Sequence, residues 1–314
     1  MTKKTDFVSC PICDSPSFSI MTFRFDSGRI VRCQDCGHIY LNPTLTDSQL
    51  AIIYENYHLS EDEGSYIKMI DGWFDDPNGP YQYSLLSIDK LCGFKNKRLL
   101  DVGCGPGRFL SECKKRGAIV SGVDSSLRAA QLAQKYFNLD VIAKPLEEAM
   151  RVGDLHPSRF DIIAAFEVVE HVKKPAELLK SIHRLLAPGG LVFISTPNFY
   201  LYYSMGKAAP SLKDYAEHLH FFDAKSLADC LKRCHYDMER VVSLNPMAFG
   251  ERKKHIFANI PIIKKAWQAL RRIRAAYIVK DSVFKLLDQH KDNADRMAWN
   301  GTSLLCIARK PAEA

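Results

Sequence analysis

Paired cysteines, alternating glycines and a set of carboxylates beside imidazoles are the residues of this chain whose spacing could do chemistry. Cys10-Pro-Ile-Cys13 and Cys33-Gln-Asp-Cys36 are two CxxC knuckles with 19 residues between them. Each knuckle offers two thiolates, and four together complete a tetrahedral zinc site with no open position, so the expected zinc is structural rather than catalytic. Gly37 suits the tight turn that such a knuckle needs. His38 is a spare ligand in principle and is read as a neighbour. A redox dithiol pair or free thiols is the competing reading of the same four residues.

The stretch RLLDVGCGPGRFL is the second signal. An apolar strand ends at Asp101, Gly103, Gly105 and Gly107 follow at alternate positions, and a helix opens near Arg108. Glycines there let the backbone turn tightly and approach a ligand closely. The dinucleotide fingerprint is GxGxxG, whereas this loop reads GxGxG, and the lysine of a phosphate-cradling P-loop is missing. Asp124 ends the next apolar run, and an acidic group at that place suits the two hydroxyls of a ribose. Two further segments carry titratable groups: Glu167-Val168-Val169-Glu170-His171, and Tyr215-Ala216-Glu217-His218-Leu219-His220-Phe221-Phe222.

These groups need elements to hold them. The chain has 314 residues, 46% hydrophobic and 25% charged, enough for a large α/β domain and a small accessory module. Short apolar runs alternate with helical patterns over residues 96–245, which argues for βαβ units and a mostly parallel sheet. Strands are expected at Arg98–Val102, Ile119–Asp124, Asp140–Ala143, Asp161–Phe166, Leu191–Ser195, roughly Met238–Ser243, and Ser303–Ala308. Pro175 to Leu186 reads as a helix, opened by proline and stopped by Pro188-Gly189-Gly190. In a doubly wound sheet, reactive groups sit beyond the carboxyl ends of the strands, which is where both titratable segments fall.

From Lys97 to Asn198 the sequence resembles the class I S-adenosylmethionine-dependent methyltransferases. The resemblance is carried by DVGCGPG, VDSS, FDIIAAFEVVEHV and LLAPGGLVFISTPN, in that order. It implies a Rossmann-like class I methyltransferase sheet, mostly parallel with an antiparallel last strand, preceded by a small zinc ribbon. It also implies cofactor roles: Asp101, Gly103 and Gly105 at the methionine part, with Gly107 in the same cofactor-binding loop, Asp124 at the ribose, Leu146 at the adenine and Phe166 on the methionine side. The implied division is a zinc ribbon at 1–45, a helical connector at 46–95 and the methyltransferase domain at 96–314. An NAD-type Rossmann domain or a non-catalytic cofactor-binding module is the alternative.

The two titratable segments resemble different relatives. The ExxEH segment is similar to that of the ubiquinone-pathway O-methyltransferases, where it can hold a divalent cation; this implies Mg2+ at Glu167, Glu170 and His171, or else His171 touching the acceptor without metal. The bland reading is that Glu170 and His171 brace the following helix. The YxEH spacing resembles deoxysugar C-methyltransferases that carry an N-terminal zinc module, and implies His218 as the base, oriented by Glu217 and supported by Tyr215. The chain departs from those enzymes in lacking their second Rossmann-like domain. The expected acceptor is therefore a small molecule or glycan intermediate, methylated on oxygen, with sugar C-methylation as the alternative.

The remaining signals concern partners. The net charge of +7 permits an anionic partner without demanding one. A zinc ribbon with positive charge also fits an RNA methyltransferase, but no Asn/Asp-Pro-Pro-Tyr segment is present and basic residues gather in one stretch, so nucleic acid is disfavoured. That stretch lies in a basic helical insert at about 246–300. Its helix, 261–279, puts apolar residues on one face and Lys264, Lys265, Arg271 and Arg272 on the other. It reads as a lid over the site, or as a contact with a membrane surface. No secretory signal or membrane-spanning run is present, so a cytoplasmic protein is expected, peripheral to the inner membrane face if the helix binds lipid.

Overall fold

The computed structural model describes residues 7–25, 28–46, 48–50, 62–200, 217–246 and 301–312. The insert at 246–300, including the basic helix, lies almost wholly outside the described residues, and so does Tyr215.

Two sheets organise these residues. The larger has seven strands: β4 (Arg98–Val102), β5 (Ile119–Asp124), β6 (Val141–Ala143), β7 (Phe160–Phe166), β8 (Leu186–Pro197), β10 (Asp237–Pro246) and β11 (Gly301–Arg309). Their order across the sheet is β10-β11-β8-β7-β4-β5-β6. Only β11 runs against the rest, paired antiparallel to both β8 and β10. This is the expected mostly parallel sheet with an antiparallel last strand, and β4 and β5 have the expected bounds.

Both faces of the sheet are buried, and the strand period of two divides them. Ile163, Ala165, Val192, Ile194, Leu304 and Cys306 face one core, shared with α5 (Leu146–Arg151), α6 (Pro175–Leu185) and α7 (Ala224–Arg233). Ile162, Ala164, Leu191, Phe193, Leu305 and Ile307 face the other, shared with α2 (Pro80–Leu91), α3 (Arg108–Lys115) and α4 (Leu127–Phe137). Helix starts follow local chemistry. Ser126 accepts the Ala129 amide at the head of α4, and Asp223 with Ser226 makes a capping box for α7.

The chain runs outward through β4, β5 and β6, then crosses back to β7 and β8. The strand order therefore reverses between β4 and β7, which opens a crevice at their carboxyl ends. Helix α1 (Glu63–Asp75), from the region read as a connector, lies over that crevice.

The smaller sheet has the order β1-β2-β3-β9, with β1 (Phe18–Phe25), β2 (Gly28–Cys33), β3 (Ile39–Asn42) and β9 (His220–Phe221). Its fourth strand comes from the segment that follows Glu217 and His218, so the cysteine module and the large domain share a sheet. No helix among the described residues is long and apolar enough to cross a membrane.

Phe193 is fully buried at the middle of β8. Phe193→Ala is expected to lower stability by about 3–5 kcal/mol, read from the midpoint of denaturant unfolding at unchanged slope. A loss below about 1 kcal/mol would contradict the described core.

Candidate functional site

A cavity of about 1320 Å³ occupies the crevice. At one end stands the glycine loop. Gly103 has φ +68°, and a β-carbon there would come within 2.5 Å of Val168 Cγ2. Gly105 has φ +52° and open space above it, so a side chain would fill the cavity rather than strike a wall. Gly107 differs: it opens α3 in the left-handed region and packs toward Leu139, and it is not among the cavity-lining residues.

Asp124 ties the loop to β5. Its Oδ2 accepts the Gly105 amide at 2.9 Å and its Oδ1 accepts the Ser126 amide at 2.8 Å. Asp101 is buried at the end of β4. Burial, with Asp124 nearby, raises its carboxyl well above the usual range. Leu146 and Phe166 line the same cavity, Phe166 edge-on to Tyr81 and Phe109 at 4.9 Å. This set of donors, acceptors and apolar walls fits a nucleoside carrying an amino-acid tail.

The other end holds the titratable groups. Glu170, His171 and His218 offer ligand atoms that lie within 4.8 Å of one another. His171 Nδ1 sits 3.2 Å from the Glu217 carbonyl. A carbonyl only accepts, so Nδ1 carries the proton and Nε2 carries the lone pair. That Nε2 lies 3.8 Å from Glu170 Oε1, and the His171 and His218 rings meet edge-on at 4.7 Å. Burial pulls His171 down to about 4, and burial with His171 pulls His218 down to about 2, so both rings are neutral. Burial, reinforced by Glu167, pushes Glu170 well above the carboxylate range, and neither of its oxygens reaches a partner at hydrogen-bonding geometry, although Thr196 and Glu167 lie near.

Glu167 is outside that cluster. It adopts φ +54°, an unusual conformation for its type. Its Oε1 accepts Ser195 Oγ at 2.8 Å, and burial lifts its carboxyl to about 7. Among the described residues, the ligand atoms that converge are those of Glu170, His171 and His218, whereas the ExxEH spacing suggests Glu167, Glu170 and His171. Two imidazoles and one carboxylate suit a divalent transition metal better than Mg2+, which prefers oxygen ligands.

The cysteine module brings Cys10, Cys13, Cys33 and Cys36 together, all Sγ atoms within 4.8 Å. Two Sγ–Sγ distances, Cys10–Cys36 and Cys13–Cys33, are 3.6 Å. Four thiolates around one zinc stand about 3.8 Å apart at ordinary Zn–S lengths, so the donor set fits. Burial pushes the Cys10 thiol up, while the Cys36 and Asp35 amides, against burial, draw Cys33 down to about 7.

The cavity's roof carries no motif in the sequence. Tyr66, Ile70, Trp73 and Phe74 of α1 and Tyr81 of α2 line it. The aromatic density of this region was the available signal. Arg108 clasps α1 to the glycine loop: Nε meets Asp71 at 2.8 Å, and its guanidinium lies 3.9 Å over the Phe74 ring. Arg108→Ala is expected to speed amide exchange in α1 while leaving β4 and β5 protected. Unchanged exchange in α1 would show that the clasp does not hold the roof.

Comparison with known proteins agrees with this geometry. A family model described as "Methyltransferase domain" matches residues 83–241. A ubiquinone biosynthesis O-methyltransferase of Pseudomonas aeruginosa is 36% identical over 126 residues, 38% of this chain and 54% of that protein. One from Neisseria meningitidis is 32% identical over 156 residues, 46% and 65% of the two chains. The chain thus spans half to two thirds of the length of these curated relatives. The crystal structure of a SAM-dependent methyltransferase from Archaeoglobus fulgidus superposes with a TM-score of 0.50 at 19% identity, covering 78% of this chain and 99% of that one, a likeness of fold. With the family model matched over more than half of its length, the chain belongs to the methyltransferase-domain family.

Proposed function

We propose that the chain transfers a methyl group from S-adenosylmethionine to an oxygen of a small-molecule or glycan acceptor. One observation carries this reading: the glycine loop with Asp124, and the Glu170–His171–His218 group, open into the same cavity. When bound, S-adenosylmethionine supplies a methyl group activated by a sulfonium. Asp124 would face the ribose hydroxyls, Leu146 the adenine, and Asp101 with Gly103 and Gly105 the methionine part. The protein's own work is then to hold an acceptor hydroxyl in line and to take its proton.

The lone pair of a neutral imidazole at His218 or His171 can accept the hydrogen bond of an acceptor hydroxyl at neutral pH, although burial makes each ring a weaker base than a free imidazole. Glu217 contributes its carbonyl to His171 and its carboxylate to His218, 3.9 Å from Nε2. A divalent cation at Glu170, His171 and His218 is a second way to the same end, since it would lower the pKa of a bound hydroxyl. The buried Glu170 carboxyl favours it, because a cation would supply the charge that burial denies. The relatives described as O-methyltransferases favour oxygen over carbon as the acceptor atom.

We assign structural zinc to the four cysteines. The basic stretch 261–279 remains the proposed lid or membrane contact, and nucleic acid the disfavoured partner.

Metal analysis of the purified full chain is expected to find about one zinc per chain at the closed four-thiolate site; zinc near zero with all four thiols titratable would refute the assignment. With a panel of hydroxylated small molecules and sugar nucleotides, release of S-adenosylhomocysteine is the expected signal. His218→Ala should cut the rate by about 10²-fold or more while keeping cofactor affinity. A wild-type protein that binds the cofactor yet turns over no acceptor would favour the non-catalytic module, and an unchanged rate in His218→Ala would remove that residue from the chemistry.

A further inference from the structure

The cysteine module is joined, through one short buried path, to the segment that follows Glu217 and His218 at the acceptor end of the cavity. β3 pairs antiparallel with β9, Ile39 opposite Phe221 and Tyr40 opposite His220. The Leu41 amide donates to the Leu219 carbonyl at 2.9 Å. On its other side, the same segment is stitched to the loop after β7: the Leu219 and His220 amides donate to the Glu170 carbonyl at 2.8 and 3.1 Å. The segment that carries Glu217 and His218 is thus held between the module and the loop that carries Glu170 and His171.

A side-chain relay runs beside these backbone bonds. His220 Nε2 is 2.8 Å from the Val172 carbonyl and therefore carries a proton. Its Nδ1 is then an acceptor, and it lies 3.1 Å from His38 Nε2. His38 must donate, with its own Nδ1 left unprotonated. That atom is buried without a hydrogen-bond partner, which costs less for a bare lone pair than for a buried N–H. His38 is not part of the four-cysteine cluster. His38 is nearly inaccessible, packed 4.8 Å from the Phe222 ring.

We infer that His38 is a positioning residue: by donating to His220 it fixes the Glu217–His220 segment, and through the Glu217 carbonyl it fixes the orientation and tautomer of His171 at the acceptor end. The cysteine module then braces the acceptor site from behind, without itself lining the cavity. The glycine loop hangs from β4 and β5, so the donor end should not feel a change at His38. The inference rests on the proposed acceptor role of the Glu170–His171–His218 group.

The test uses the full chain, with its metal, at one fixed neutral pH. Long-range proton–nitrogen spectra of the imidazoles report which ring nitrogen carries hydrogen. Wild type is expected to show His171 protonated at Nδ1 and His220 at Nε2. In His38→Ala the His171 signal should move toward a mixture of both tautomers, while affinity for S-adenosylmethionine stays within about twofold of wild type and the metal is retained. His38→Gln places an amide donor near the lost Nε2 and should restore the wild-type signal; His38→Asn is too short and should not. The Gln and Asn pair decides the matter if His38→Ala fails to fold. Unchanged His171 signals in His38→Ala, indistinguishable Gln and Asn variants, or a loss of cofactor affinity beyond about tenfold would each overturn the inference. Failure of wild type to bind S-adenosylmethionine would instead refute the methyltransferase reading, and the imidazole spectra would still decide the role of His38.

Discussion

The hydrogen bond from the Gly105 amide to Asp124 holds together the part of the molecule on which the rest depends. It joins the turn after β4 to the end of β5, and it does so with a carboxylate that remains at the cavity surface. The turn itself is possible because Gly103 and Gly105 take backbone angles that a side chain would strain, and because Val168 leaves no room for a β-carbon at Gly103. Asp101, buried beneath, has its carboxyl raised by burial and by Asp124. Two acidic residues placed so closely mark a region built for a polar ligand, since packing alone gains nothing from them.

The opposite end of the cavity obeys a different constraint. Here burial suppresses charge, so that His171 and His218 stay neutral and Glu170 resists ionisation. Such a group can hold an acceptor hydroxyl through a neutral lone pair, or it can welcome a cation that lowers the pKa of that hydroxyl. The geometry between its members comes from three separated pieces of chain: the turn after β7, the segment before β9, and the β3 strand of the cysteine module. Each piece is fixed by backbone hydrogen bonds to another. That is a stiffer mount than a loop alone provides, and stiffness is what positioning chemistry requires.

Much of this was legible in the residues. β4 and β5 have the bounds that their apolar runs indicate, and the helix from Pro175 ends one residue before the position read from the pattern. The four cysteines converge as their spacing requires. What stayed hidden was long-range. Nothing local in Leu219-His220-Phe221 says that it pairs with Ile39 and Tyr40, because two residues of strand carry no readable period. His38, read as a neighbour of the metal site, turns out to face His220 rather than the thiols. Glu167 looks like a ligand in the ExxEH pattern, and in the fold its Oε1 accepts Ser195 Oγ. The aromatic residues of α1 and α2 read only as a connector, since periodicity shows that a helix is amphipathic but not what its apolar face will cover.

The donor end is where the account is most exposed. Calorimetric titration of the full chain with S-adenosylmethionine should show one saturable site per chain, weakened by about 10-fold or more in Asp124→Ala, which removes the anchor of the glycine turn and the proposed ribose acceptor. Absence of saturable binding to the wild-type protein, or equal binding by Asp124→Ala, would contradict it.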